Sequence, residues 1–422
     1  MPQAVGRAAK LMSVIRVSSG NFLEMYDFFV FVYYATAIGN AFFPGGDAVG
    51  RLLKTFALFG VGSFMRPIGA IVLGAYIDHY GRRRGLILTL GIMSVGTASL
   101  AFVPGYATLG FLAPLLIIIG RLLQGFSAGV ELGGVSVYLS EIATPGHKGF
   151  YVSWQSGSQQ AAVIFLAVLG VALAKIVPAP AMADWGWRIP FIIGCLIVPL
   201  IFVLRASLKE TEEFAARARH PSIGRIFETL VRNWAIVLIG MLLVLMTTVS
   251  FYLITAYTPT FGGEVLQLGG NDSLIVTGCV GLSNLFWLPV MGALSDRVGR
   301  RPLLILFSGL AILTAYPALL WLVAAPSFSH LLLVELWLSF LYGSYNGAMI
   351  VYLTEIMPAE VRTAGFSIAY SLATTLGTFT PFVSQWLIDE TGDKAIPAAW
   401  LSFAAALSLI AALRVRMQRA AP

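Results

Sequence analysis

Along this 422-residue chain, continuous apolar runs of about 20 residues alternate with short polar loops. The runs lack the every-other-residue alternation of a half-buried strand, and they match the thickness of a bilayer core. A spanning segment must satisfy its own backbone hydrogen bonds, so continuous apolar runs predict helices. Twelve are predicted, at 16–43, 49–77, 85–104, 109–142, 148–177, 188–206, 233–262, 271–296, 302–325, 329–356, 361–388 and 395–416. One sizeable polar stretch, Arg205 to Arg232, interrupts them; its Ala- and Glu-rich part ends at His220-Pro221 and reads as a surface helix. The chain therefore divides into a six-helix unit (1–206), a linker (207–232) and a second six-helix unit (233–422).

The two units repeat each other. Gly74-Ala-Tyr-Ile-Asp78-His-Tyr-Gly81-Arg82-Arg83 after the second run returns as Gly292-Ala-Leu-Ser-Asp296-Arg297-Val-Gly299-Arg300-Arg301 after the eighth. Tyr138-Leu-Ser-Glu141-Ile at the end of the fourth run returns as Tyr352-Leu-Thr-Glu355-Ile at the end of the tenth. Six-helix halves related by an axis along the membrane normal are an established transporter plan, with the substrate site near the midplane between them. In the repeated loops, Asp78 and Asp296 can each meet the positive end of a helix and the neighbouring Arg82, Arg83, Arg300 and Arg301. With Glu141 and Glu355 they form a candidate gating network, made in one state and broken in another. Positive-inside topology alone is the competing explanation for the arginines.

Composition agrees with a membrane protein: 58% of residues are hydrophobic and 11% charged, against about 25% charged in soluble domains. The net charge of +7 does not point to nucleic acid, because the cations sit in loops between apolar helices. Arg7, Lys10, Arg82 to Arg84, Lys148, Arg217, Arg297, Arg300, Arg362 and Arg414 crowd one side, whereas the other keeps only Arg51, Lys54, Lys175, Arg188 and Lys394. The crowded side, with both termini, is expected to be cytoplasmic in a cell inner membrane. The basic N-terminal segment runs into a full-length helix containing acids and is expected to stay as the first span rather than be cleaved. Cys195 and Cys279 lie in apolar runs and the four His are scattered, so neither a disulfide nor a metal site is expected. No nucleophile motif or phosphate-cradling glycine loop appears, which argues against an enzyme or an ATP-driven pump.

Charged side chains inside spans cost about 3 kcal/mol or more each and usually mark a cavity or a partner. Asn21, Glu24 and Asp27 recur at helical spacing on one face of the first run. Burial disfavours the charged form of a carboxylate, so Glu24 and Asp27 are candidate proton carriers, or else the partners of Arg66 or Arg121 in fixed ion pairs. Arg121, Gln124 and Glu131 share an arc of the fourth run. Arg121 can grip a substrate carboxylate in two places, control a nearby acid, or hold helices together. Glu131 is a further proton-site candidate. Arg66, next to Pro67, reads as a helix anchor. Lys54 lies near the outer end of the second run, as an anion lure or an interfacial anchor. Gln155, Gln159, Tyr252, Tyr345 and Asn346 are polar tips which, with Arg121, Gln124, Asn21 and Lys54, make up the candidate substrate site; Arg121 lies near the midplane and is its leading cation.

Several stretches resemble a known family. The paired Gly-x3-Asp loops are similar to the signature loop of the major facilitator superfamily. Ser19-Gly-Asn-Phe-Leu-Glu24-Met-Tyr-Asp27-Phe28, Arg66-Pro67-Ile-Gly69, Arg121-Leu-Leu-Gln124-Gly125 and Trp185-Gly-Trp-Arg188-Ile-Pro190 resemble its metabolite–proton symporters. Glu131 to Ile142 together with Trp154 to Gln160 resemble the citrate–proton symporters and their tricarballylate relatives. The resemblance implies an all-α integral membrane fold of twelve helices, and import of a tricarboxylate with protons by alternating access. No cofactor is implied; the coupling ion is H⁺, with Na⁺ as the alternative. Partners are then a small anion and the bilayer, and a monomer is expected. Tricarballylate, a dicarboxylate or an osmolyte are alternative substrates, and a transporter-like sensor that moves nothing is the alternative from another class.

Overall fold

The computed structural model describes residues 7–80, 82–129, 131–206, 224, 228, 231–269, 271–357 and 362–414; the surface helix expected within 207–232 falls almost wholly outside them. Twelve helical spans cross in the order read from the sequence. The first is Arg7–Tyr33 continued by Ala35–Phe42. The second is Ala48–Ser63 with Met65–Tyr80, and the third Arg82–Phe102. The fourth joins Leu112–Ala128 to Glu131–Ile142; the fifth is Lys148–Ile176 and the sixth Ile189–Ala206. The seventh begins as Trp234–Phe251, and Asp272–Val298, Arg300–Ala324 and Phe328–Ile356 are the eighth to tenth. The eleventh is Arg362–Thr378 with Thr380–Thr391, and the twelfth Pro397–Arg414.

Spans 1, 2, 4 and 5 of the first half face spans 7, 8, 10 and 11 of the second. Span 5 packs along span 8, and span 2 along span 11, as a repeat about a central axis requires. Among the described residues, eight helices are long and apolar enough to cross a bilayer on composition alone. Spans 1, 3, 10 and 11 are not among them: span 3 counts only as the shorter apolar helix Ile87–Phe102, and side chains such as Glu24, Asp27, Asn346 and Thr374 lower the hydropathy of the others. Those polar residues are all buried within the protein rather than turned to lipid.

The breaks within spans have local causes. Pro67 has no N–H to give the carbonyl of Ser63, and the second span breaks at Phe64. The freed Ser63 carbonyl accepts instead from Thr375 Oγ1 of span 11, 2.9 Å away. A helix defect in one half thus becomes a hydrogen bond to the other. Pro381 accompanies the break at Phe379 in the same way. Around Pro259 the seventh span widens into two π-helical segments, Tyr252–Tyr257 and Phe261–Val265, separated by Thr258–Thr260.

Candidate functional site

Span 1 carries Glu24 and Asp27 one turn apart, and they meet different cations. Glu24 forms an ion pair with Arg66 of span 2 at 3.2 Å, with both side chains out of solvent. Asp27 accepts a short hydrogen bond from Thr97 of span 3. Thr97 Oγ1 in turn accepts from Gln124 Nε2 at 3.2 Å, and Gln124 Oε1 accepts from Arg121 Nη1 at 2.7 Å. Asp27 and Arg121 are therefore linked through two neutral side chains; no direct ion pair joins them among the described residues.

Phe28 stands between the two systems. Its ring centroid lies 4.5 Å from the guanidinium carbon of Arg66 and 4.5 Å from that of Arg121. Phe31 and Phe59 complete a box around Arg121, at 4.6 and 5.1 Å. Aromatic faces attract a cation without neutralising it. Arg121 is enclosed there, with a further long bond of 3.4 Å to the Phe59 carbonyl.

A cavity of about 10 Å³, room for about one water molecule, lies between the halves. Arg66 and Gln159 line it from the first half, and Tyr252, Tyr342, Tyr370 and Thr374 from the second. Arg66 Nε and Nη1 have no hydrogen-bond partner, although the side chain is buried. A buried guanidinium with unused donors facing a cavity is suited to gripping a carboxylate in a forked geometry. Arg121, Gln124 and Lys54 do not line this space: the first two form the relay to Asp27, and Lys54 is exposed on Ala48–Ser63.

The other expected polar residues separate by role. Gln159 and Tyr252 face the cavity. Asn21 donates to the Gln155 carbonyl at 2.9 Å and to Ser158 Oγ at 3.1 Å, fixing span 1 to span 5. The Gln155 side chain accepts from Ser156, and its Nε2 has no hydrogen-bond partner. Asn346 donates to Ser156 Oγ at 3.0 Å and to Tyr342 Oη at 3.1 Å, bridging the halves beside the cavity. Tyr345 turns away and donates to the Leu243 carbonyl at 2.8 Å. Glu131 is buried at the start of Glu131–Ile142. Thr97, Tyr342, Tyr370 and Thr374 complete the relay and the cavity. A lone Thr such as Thr97 in an apolar run gives no signal from sequence.

At the end of the molecule that carries the repeated loops, Asp296 reaches across the halves. It accepts from the backbone N–H of Gly149 at 3.0 Å and of Phe150 at 3.3 Å, the first turn of span 5. An acid at a helix N-terminus meets both unsatisfied donors and the positive end of the helix dipole. Two glycines make the approach possible: a Cβ on Gly149 would stand 2.1 Å from the Gly292 carbonyl oxygen, and one on Gly292 2.5 Å from that of Gly149. Arg300 holds Asp296 at 2.7 Å and Glu355 at 3.2 Å. Arg301 instead donates to the Ala412 and Leu413 carbonyls at 3.0 and 2.8 Å, capping the last turn of span 12 within its own half. The side chains of Asp78, Arg82, Arg83 and Glu141 lie outside the described residues. At the opposite end, Thr36 donates to Glu264 at 3.0 Å, and Phe56 meets Tyr257 with ring centroids 6.1 Å apart. Contacts between the halves thus form towards both ends, on either side of the small cavity.

A buried cation facing a small cavity between two six-helix bundles fits the layout of a membrane transporter. The chain matches the family model of the Major Facilitator Superfamily over residues 17–381 and 272–420. It belongs to that superfamily. Among curated proteins, a citrate-proton symporter of Klebsiella pneumoniae is 60% identical over 97% of this chain and 92% of its own length. A second citrate-proton symporter, from Salmonella typhi, is 57% identical over 99% of this chain and 96% of its own length. Among solved structures, the xylose transporter XylE from E. coli superposes with a TM-score of 0.74 at 18% identity, covering 95% of each chain. That likeness establishes the twelve-helix major facilitator fold.

Proposed function

We propose that this facilitator imports citrate together with protons by alternating access. The observation that carries the proposal is the 60% identity to a citrate-proton symporter over nearly the whole chain. The site supports it. Arg66 offers unused guanidinium donors to a carboxylate, and Gln159, Tyr252, Tyr342 and Tyr370 offer polar tips around it. Arg66 already holds the carboxylate of Glu24, so an arriving substrate carboxylate competes with it for the same cation. Displacing Glu24 from Arg66 removes the cation that its buried charge pairs with, and a proton relieves that cost. Asp27 is the second proton carrier, read by Arg121 through Gln124 and Thr97. Asp296, Arg300 and Glu355 form the gate, and the excess of basic residues on that side supports cytoplasmic termini.

The energetics require coupling. Import of an anion into a negative-inside cell costs about 2.3 kcal/mol per charge per 100 mV, so a trianion needs about three protons to cancel its charge. Proteoliposomes carrying the purified protein are expected to take up labelled citrate faster under an inward pH gradient than without one. Uptake that ignores the pH gradient but follows a Na⁺ gradient would overturn proton coupling; failure of unlabelled citrate to compete would overturn the substrate.

The gate has its own test. Asp296→Asn loses the charge that strengthens its bonds to Arg300 and to span 5, each worth about 1.5–3 kcal/mol. Ser153, buried beneath the gate, reports on opening once changed to Cys in a chain whose Cys195 and Cys279 are Ser. Thiol labelling of S153C is expected to rise at least about tenfold with D296N, the factor for about 1.4 kcal/mol. An unchanged rate would remove Asp296 from the gate.

A further inference from the structure

Glu335 lies in the second half, away from every residue assigned above. It is 5% exposed, in the outer part of span 10, about 20 residues or 30 Å of helix from Glu355 in the gate. One carboxylate oxygen accepts from Thr258 Oγ1 at 2.9 Å; the other has no hydrogen-bond partner. It borders a second small cavity whose other walls are Leu253, Phe261, Leu319, Leu338 and Pro397, with Tyr257. No cation lies within ion-pair distance of it among the described residues. The titratable groups on the surrounding elements are engaged elsewhere or distant. Tyr257 donates to Gln385, Tyr316 of span 9 to Asp393, and Glu264 accepts from Thr36. Asp272, His330, Asp389, Glu390 and Lys394 stand near the outer ends of their helices, Lys175 ends span 5, and none of these bonds to Glu335. Asp296, Arg297, Arg300 and Arg301 occupy the opposite end.

We propose that Glu335 is a further proton-binding site, which signals through Thr258 to the π-helical part of span 7. The Thr258 hydroxyl has one proton and three acceptors in reach: Glu335, the Ile254 carbonyl at 3.0 Å and the Leu253 carbonyl at 3.3 Å. An ionised Glu335 accepts the hydrogen bond that this hydroxyl donates. A protonated Glu335 donates its own to Thr258 Oγ1, and Thr258 turns to the backbone of Tyr252–Tyr257. Tyr252, in that same segment, lines the substrate cavity. Proton occupancy is thereby written into the geometry of a wall of the site. The mainly hydrocarbon lining suits a proton better than a metal cation, which needs several oxygen ligands.

The inference rests on the citrate-proton reading, and its test separates the two. Protons taken up per citrate are counted with a pH electrode in weakly buffered suspensions of proteoliposomes. Wild-type protein that takes up citrate without protons sinks the parent reading. With wild-type coupling in place, Glu335→Gln is expected to lower the ratio by about one proton per citrate. An unchanged ratio, or one restored by swapping choline for Na⁺, overturns the site. Thr258→Val keeps Glu335 and covers the case where E335Q does not assemble: its uptake is expected to shift in pH dependence, and a wild-type profile overturns the link to span 7.

Discussion

Replacing Arg66 with Ala is expected to lower citrate binding at least about 100-fold. Each charge-assisted hydrogen bond to a carboxylate is worth about 1.5–3 kcal/mol, and the fork supplies two. Losing about 3–6 kcal/mol multiplies the dissociation constant by about 100 to 10,000. The substitution also strands Glu24, and leaving one partner of a buried pair destabilises by about 3–5 kcal/mol. The double variant Glu24→Gln/Arg66→Ala removes both charges and so isolates binding from folding. Arg66→Lys keeps the charge but loses the fork, and should fall between, weakened about tenfold. Binding is measured by calorimetry on protein that elutes as a single folded species. Wild-type affinity in the double variant would move the substrate carboxylate away from Arg66.

The fold was legible because its signals are local and repeated. Length and continuity of apolar runs give helices, and the Gly-Asp-Arg loops give the duplication. Even the tight fit at Gly292 is readable, since only a residue without Cβ admits the neighbouring backbone of Gly149. The site was legible as a set of residues but not as an arrangement. Depth alone made Arg121 the leading substrate cation and left Arg66 an anchor for a broken helix. The structure sets the two apart by rotation about the helix axis. Arg121 turns into the Phe28, Phe31 and Phe59 box, whereas the break near Pro67 turns Arg66 towards the cavity. Thr97 and Glu335 escaped notice for the same reason. A single polar residue in an apolar span acquires meaning only from what a distant span places against it. Glu335 adds a buried carboxylate in the second half to Glu24, Asp27 and Glu131 of the first.

Asp27→Asn is expected to weaken the response of uptake to the pH gradient, by the share of one coupled proton, while citrate exchange continues. Asp27 is the terminus of the relay that begins at Arg121, and its partner Thr97 can donate either to Asp27 or to the Met93 carbonyl at 3.1 Å. Asparagine keeps the size and can donate, as a protonated Asp does, but it neither binds nor releases a proton. The missing step carries one proton per cycle. Each coupled proton supplies about 1.4 kcal/mol per pH unit and about 2.3 kcal/mol per 100 mV of membrane potential. At one pH unit and 100 mV, its loss lowers the attainable accumulation by about 3.7 kcal/mol, or about 500-fold. In wild type, lowering the external pH loads this site from outside and speeds uptake; the variant profile should rise less steeply over the same range. Labelled citrate accumulation in proteoliposomes with imposed gradients gives the ceiling, and counterflow at equal pH gives the exchange rate. A variant that still concentrates citrate under a pH gradient as wild type does would exclude Asp27 as a proton carrier and leave the role to Glu24 and Glu335.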